Sequence, residues 1–371
     1  MVKVRVSGIA VVLAVVLAVV LAVALVGAGA LALRPAHASG APVELVPGRV
    51  AVLPDDGRGL YFDALDSARH DIRIEICVLE DPEILQHVET AIRRGVRVRA
   101  IVDRGKYDAL AAEQANLARY LTRAGGELHL SNPVFPRSFP KVILVDDRPY
   151  VYGSACLDTT TFTQYRDFAT SGDDARVARS LHRLFDQDWA SSAPPGAATP
   201  AFAPTPPIAT PGLIVAPVNA SAELTTLYQS ARRTLDVYSE ELGNAALEGE
   251  LVAAVRRGVK VRLIAPGQVN GATAEMDALQ TSSLGALASA GVDVRESGGV
   301  QDASRPYMHA RAAVVDGAIV YLGSISLAPD SATVNREVGL VSRSPELARA
   351  VAELFAADFA TRANPFATTQ G

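Results

Sequence analysis

The chain has 371 residues, 49% of them hydrophobic, enough for one large or two medium domains with real cores. Forty acidic against 35 basic residues give a formal net charge of −5. That balance disfavours a broad nucleic-acid surface, where affinity comes mainly from Lys and Arg on phosphates, and the two cysteines, Cys77 and Cys156, are too few to build a metal cluster.

Lys3 and Arg5 precede an uncharged run from Gly8 to Leu33, which Arg34 ends, and Ala36-His37-Ala38 has the small-x-small form of a cleavage site. Residues 1–38 therefore read as an export signal. The run from 8 to 33 also exceeds the ~20 residues that span a bilayer, so an uncleaved anchor is the alternative. Both readings place the body outside the cytoplasm, secreted or held at the membrane.

The body alternates helix and strand. Leu60–Ala68 reads as a helix, and Asp71–Leu79 alternates Ile72, Ile74 and Ile76 with polar residues, a strand pattern. Pro82–Arg94 is a predicted helix stopped by Gly95, Val96–Val102 a strand, Tyr107–Ala124 a helix and Glu127–Leu130 a strand. Lys141–Val145 and Tyr150–Tyr152 form a strand pair, and Ala175–Trp189 an amphipathic helix. A Pro/Ala-rich stretch, 191–212, then reads as a linker or wrapping loop between a half over 43–190 and a half over 213–362. The second half repeats the order: helices over Ala222–Arg232, Ala246–Arg257, Met276–Ala290 and Pro345–Phe359, with strands over Thr234–Ser239, Val259–Ile264, Val292–Arg295, Ala310–Val315 and Ala318–Leu322. The end from Asn364 to Gly371 reads as frayed.

The repetition is numerical. Arg256-Arg257-Gly258-Val259 follows Arg93-Arg94-Gly95-Val96 by 163 positions. Arg311, Asp316, Gly323, Leu354 and Asp358 each follow Lys141, Asp146, Gly153, Leu184 and Asp188 by 170. Constant offsets over such distances point to duplication, and two copies favour a pseudo-two-fold pair of α/β units with a site where equivalent edges meet.

Side chains alternate along a strand, so His309 and Arg311 point the same way, and a two-fold brings Lys141 to the same pocket. Two converging cations suit a phosphodiester, and a histidine beside the phosphorus can act as nucleophile or proton donor. Asp316, Glu337 and Asp167 are candidates to orient the imidazole or balance the cations, and Ser154 and Ser324 can donate to phosphate oxygens. Asp146 and Asp316 also precede turns, and Ser154 and Ser324 follow strands, so turn formation accounts for them equally well.

The frame resembles the phospholipase D superfamily, whose motif is His-x-Lys-x4-Asp, then Gly-Ser-x-Asn, with a downstream acid. The resemblance covers roughly Val43 to Phe359. His309, Asp316, Gly323, Ser324, Ser331, Asn335 and Glu337 stand where that family's residues stand in the second copy, and Lys141, Asp146, Gly153, Ser154 and Asp167 in the first. The pattern is broken at four positions: Arg311 replaces Lys, Ser326 and Cys156 replace Asn, and Phe139 replaces the first histidine.

The resemblance implies a duplicated fold of two α/β/α halves and a phosphodiesterase, which the leader would place outside the cytoplasm. Its reaction would hydrolyse or transfer a phospholipid headgroup through a phosphohistidine, need no metal or cofactor, and be impaired by the loss at position 139. His309, Arg311, Lys141, Asp316 and Glu337 are its expected catalytic set, and Ser154, Ser324, Asn335, Phe139, Asp146 and Asp167 its expected substrate contacts. Phe139 is also placed to pack on an acyl chain or a base. The rival readings are a non-catalytic phosphate or lipid binder, and an extracellular nuclease. His129, ten residues before Phe139, is assigned a structural role rather than that of a replacement imidazole. Cys77 aligns with Glu240 by the 163 offset, and Cys156 lies in the Gly-Ser segment of the same half. The two are either bridged beside the altered pocket or separate small buried side chains.

Overall fold

The computed structural model describes residues 49–109, 117, 120–299 and 305–366. The predicted leader lies outside them, as do part of the Tyr107–Ala124 helix and part of the C-terminal end. Among the described residues no helix is long and apolar enough to cross a membrane.

The first half runs β1 (Val50–Leu53), α1 (Gly59–Ser67), β2 (Asp71–Ile76), α2 (Pro82–Arg93), β3 (Arg97–Val102), α3 (Arg104–Ala109), β4 (Glu127–Leu130), β5 (Ser138–Phe139), β6 (Val142–Val145), β7 (Tyr150–Gly153), α4 (Thr159–Thr163), β8 (Tyr165–Gly172) and α5 (Ala175–Ser191). The second runs β9 (Leu213–Ala216), α6 (Ala220–Ser230), β10 (Thr234–Tyr238), α7 (Ala245–Arg256), β11 (Lys260–Pro266), α8 (Ala274–Ser289), β12 (Asp293–Ser297), β13 (Tyr307–Met308), β14 (Ala312–Val315), β15 (Ile319–Gly323), β16 (Arg336–Ser342), α9 (Pro345–Ala357), a π turn over Asp358–Arg362 and β17 (Ala363–Pro365).

Local chemistry sets the boundaries. α2 opens with the Asp81 carboxylate accepting from the N–H groups of Glu83 and Ile84, with Pro82 in the first turn. The glycines of the two Arg-Arg-Gly-Val copies, Gly95 and Gly258, end α2 and α7 in the left-handed region, at φ 91° and 86°.

One sheet has the order β1-β8-β7-β6-β2-β3-β4 and the other β17-β12-β11-β10-β14-β15-β16-β5. β2, β3 and β4 run parallel to one another, as do β10, β11 and β12. On its outer face each sheet carries a helix pair, α1 with α2 and α6 with α7, burying residues such as Leu65, Ile84 and Val88 in one half and Leu224, Leu247 and Leu251 in the other. Between the sheets lies a shared core into which α5 sends Leu181 and Phe185 and α9 sends Val351 and Phe355. The duplicated fold with two α/β/α halves is thus present.

Each half lends the other a short strand. β5 pairs parallel with β16, setting Phe139 opposite Glu337, and β13 pairs parallel with β8, after which His309 N donates to Arg166 O at 3.2 Å. These exchanges explain two differences from the predicted strands. Ala310–Val315 starts only at Ala312, because the chain crosses between sheets after Met308. Lys141–Val145 starts at Val142, because Lys141 turns the chain with φ 54°. The segment 191–212 packs on the body: Arg104 and Arg336 donate to the Thr199 and Thr205 hydroxyls, and the Phe202 ring meets Phe135 edge-on.

Candidate active site

His309, Arg311, Lys141 and Phe139 line one cavity of about 790 Å³ between the halves. The crossing strands bring them there: β13 delivers His309 and Arg311 from one side, β5 delivers Phe139 and Lys141 from the other.

His309 is held as a directed neutral base. Its Nδ1 lies 2.8 Å from Asp167 Oδ2, and Asp167 Oδ1 accepts the Ser154 hydroxyl at 2.6 Å. Burial pushes the imidazole well below its usual range, opposed by Glu240 and reinforced by Lys141 and Arg311. Burial also raises Asp167 to about 6, with Lys141 and Ser154 pulling the other way. At neutral pH an ionised Asp167 therefore accepts from Nδ1–H, and Nε2 keeps its lone pair. Arg311 Nη1 approaches that Nε2 at 3.3 Å and donates to the His309 carbonyl at 2.9 Å.

Arg311 is neutralised by Glu240, whose Oε2 accepts from Arg311 Nη2. Glu240 Oε2 also stands 3.6 Å from His309 Nε2, and its Oε1 accepts from Tyr307 OH at 2.9 Å. Tyr165 lies against the His309 ring at 5.2 Å between centroids, and its hydroxyl accepts from Asn270 Nδ2 at 2.6 Å. No motif announces Glu240, Tyr165, Tyr307 or Asn270. The one available signal was for Glu240, which the 163 offset aligns with Cys77.

Lys141 is buried, and its Nζ donates to the Ser154 carbonyl and lies 3.3 Å from Cys156 Sγ. Cys156 is bridged to Cys77, with Cα atoms 6.0 Å apart, so the bridged arrangement is the one present. Burial first, and the facing Arg311 guanidinium second, bring the Lys141 ammonium down to about 7.

Several expected site residues do not reach the cavity. Asp146 and Asp316 lie five strand residues beyond Lys141 and Arg311, about 17 Å along an extended chain. Their carboxylates instead accept backbone N–H groups: Asp146 those of Arg69, His70 and Asp71, and Asp316 those of Arg232, Arg233 and Thr234. Burial raises both acids, but these hydrogen bonds outweigh it and hold them below the usual range. Their roles as substrate contact and catalytic acid are corrected to loop anchors at the far strand ends. The Ser154 hydroxyl is spent on Asp167 and the Phe168 N–H, and that of Ser324 on the Val338 backbone, so neither is free for phosphate. Glu337 is paired in register with Phe139 and, like Asn335, does not line the cavity: Asn335 Nδ2 and the Ser331 hydroxyl donate to Glu337 Oε1 at 3.2 and 2.9 Å, while Glu337 Oε2 has no hydrogen-bond partner among the described residues. Burial raises Glu337 to about 7. His129 stacks on Trp189 at 3.7 Å and its Nδ1 meets the Ser192 hydroxyl, outside the cavity.

Comparison with known proteins agrees with this architecture. Residues 61–189 and 224–359 match the family model described as cardiolipin synthase, PLD-like domain. Mitochondrial cardiolipin hydrolase of Xenopus tropicalis is 31% identical over 137 residues, 37% of this chain and 60% of that protein. The chain thus spans less than two thirds of the length of that relative. Among solved structures, phosphatidylserine synthase from Haemophilus influenzae Rd KW20 superposes with a TM-score of 0.67 at 13% identity, over 87% of this chain and 89% of that one. Polyphosphate kinase from Porphyromonas gingivalis gives 0.63 at 16%, over 86% and 49%. At these identities both structural likenesses concern the fold. The two matched segments cover most of the chain, one in each half: the protein belongs to the phospholipase D superfamily, in the family of cardiolipin synthase, PLD-like domains.

Proposed function

We propose that the protein is a phosphodiesterase that cleaves or transfers a phospholipid headgroup, with His309 Nε2 as the nucleophile. The observation that carries this reading is the Asp167–His309 pair, which leaves a neutral imidazole nitrogen facing a cavity that also holds Lys141 and Arg311. In the first step Nε2 attacks phosphorus, the bond to the leaving oxygen breaks, and Asp167 balances the charge growing on the ring. Water, or an alcohol in a transfer reaction, then attacks the phosphohistidine. The phospholipid names of the matched family and of the Xenopus relative support a lipid substrate. The leader reading and the Cys77–Cys156 bridge support action outside the cytoplasm, at a membrane surface.

Turnover of phosphatidyl lipids and of bis-p-nitrophenyl phosphate by the wild type and His309→Ala tests the reading. We expect the variant to lose turnover of both; equal rates in the two proteins would overturn it. Phe139, standing where an imidazole is expected, favours a second reading, a lipid binder without chemistry. A wild type that co-sediments with anionic liposomes yet turns over neither substrate would establish it. Retention of single-stranded DNA that weakens as salt rises, together with its hydrolysis, would point to the nuclease reading instead.

A further inference from the structure

Breaking a bond to an alkoxide leaving group calls for a proton donor, and the imidazole expected at position 139 is a phenyl ring. The two motif cations of the cavity are not held alike. Arg311 is neutralised by Glu240. The position equivalent to Glu240 in the first half is Cys77, bridged to Cys156. Where Arg311 meets a carboxylate, Lys141 meets sulfur at 3.3 Å and the Ser154 carbonyl, and among the described residues no carboxylate oxygen lies within ion-pair distance of its Nζ. The backbone differs too: Lys141 sits in the left-handed region at φ 54°, a conformation unusual for a non-glycine residue, and Arg311 does not. The disulfide therefore occupies the space from which a counter-ion would fix the lysine's charge.

Resting on the reading of His309 as nucleophile, we propose that Lys141 is the proton donor to the leaving oxygen, in the role vacated at position 139. As Nε2 of His309 bonds to phosphorus and the phosphorus–oxygen bond breaks, the Lys141 ammonium gives its proton to the departing alkoxide and becomes a neutral amine. In the second step that amine takes a proton from the attacking water, the phosphorus–nitrogen bond breaks, and ammonium and imidazole are both restored. Only water is consumed, and the products are an alcohol and a phosphate monoester. The charged groups that act on Lys141 are Arg311, Asp167, Glu240 and Glu337, and it in turn acts on His309. Their balance, with burial, leaves an ammonium that titrates at about 7, suited to giving and retaking a proton.

Lys141→Arg separates this role from mere charge, because a guanidinium binds phosphate but does not release its proton. Two phosphodiesters are compared, phosphatidylcholine with its alkoxide leaving group and a p-nitrophenyl phosphodiester whose leaving group departs unprotonated. The expected result is a loss of about 10²–10⁴-fold on the lipid with a far smaller loss on the aryl ester. The wild type's fall in lipid turnover above pH 7 should also vanish in the variant, while inorganic phosphate should still inhibit it, which shows that an anion site remains. Lys141→Arg with Phe139→His should recover lipid turnover. Equal losses on both substrates, or full retention on the lipid, would overturn the role of Lys141 while leaving His309 as nucleophile. A wild type inert on both would remove the reading on which it rests.

Discussion

Phe139 lies directly across a strand pair from Glu337, whose Oε2 has no hydrogen-bond partner among the described residues. The reciprocal pair is Asp167 and His309, which are hydrogen-bonded at 2.8 Å. Because each residue of one pair is 170 positions from its counterpart in the other, the structure holds one complete acid–imidazole pair and one acid paired in register with an apolar ring. Burial raises the stranded Glu337 from 4.5 to about 7. A carboxyl whose folded value lies above its unfolded one costs stability as pH rises, so this penalty grows from about pH 4.5 and is complete above about pH 7. Glu337→Gln removes the titration. Thermal melting should show a smaller fall from pH 5 to pH 8 in the variant, with a gain of up to about 3 kcal/mol at pH 8. An unchanged fall would mean that Glu337 ionises freely opposite Phe139.

The duplication, the two-half fold and the loss at position 139 were all legible in the sequence, because constant offsets preserve them whatever the neighbours do. Glu240 was not legible as a site residue: its only mark was alignment with a cysteine, and its function comes from packing against Arg311 across 71 positions. Asp146 and Asp316 misled for a geometric reason. A motif reports spacing, but five extended residues carry a side chain to the far end of the strand. Ser154 and Ser324 misled because a buried hydroxyl satisfies the nearest backbone or acid first.

The Asp167–His309 pair makes its own prediction. With Asp167 raised to about 6, turnover should fall as pH drops below that value, since a protonated Asp167 no longer fixes Nδ1–H or balances the ring. Asp167→Asn keeps the shape without the charge. Turnover should drop by about 10²–10⁴-fold, and the acid limb of the pH profile should disappear. An acid limb that persists unchanged would assign it to another group.

Directly before each of the two acids stands a fully buried arginine. Arg166 pairs with Asp358 at 2.9 Å, and the Tyr238 hydroxyl donates to the same carboxylate; Arg336 makes two hydrogen bonds of 2.8 Å to Asp188. The pairs are crossed, each arginine reaching into the other half, and they repeat the 170 offset that Asp188 and Asp358 already showed in the sequence. Deleting Asp188 leaves the buried Arg336 charge uncompensated, so Asp188→Ala should lose about 3–5 kcal/mol in urea unfolding, and Asp358→Ala less, because Arg166 keeps its second ion pair with Asp55 at 3.1 Å. A loss below about 1 kcal/mol in Asp188→Ala would mean that water reaches the arginine.

The Cys77–Cys156 bridge joins residues 79 positions apart, for which the chain-entropy model gives a stabilisation of about 4.5 kcal/mol. It also borders the cavity, with Cys156 Sγ 3.3 Å from Lys141 Nζ. The double variant Cys77→Ser with Cys156→Ser should therefore show two separable effects. Urea unfolding should report a loss of a few kcal/mol. Reducing agent should lower the melting temperature of the wild type toward that of the variant while leaving the variant unaffected. In the folded variant, hydroxyls near Lys141 accept hydrogen bonds from its ammonium better than sulfur does and so favour the charged form. The fall in turnover on the basic side should accordingly move to higher pH. A stability loss with an unmoved pH profile would make the bridge a fastener alone, without influence on the lysine beside it.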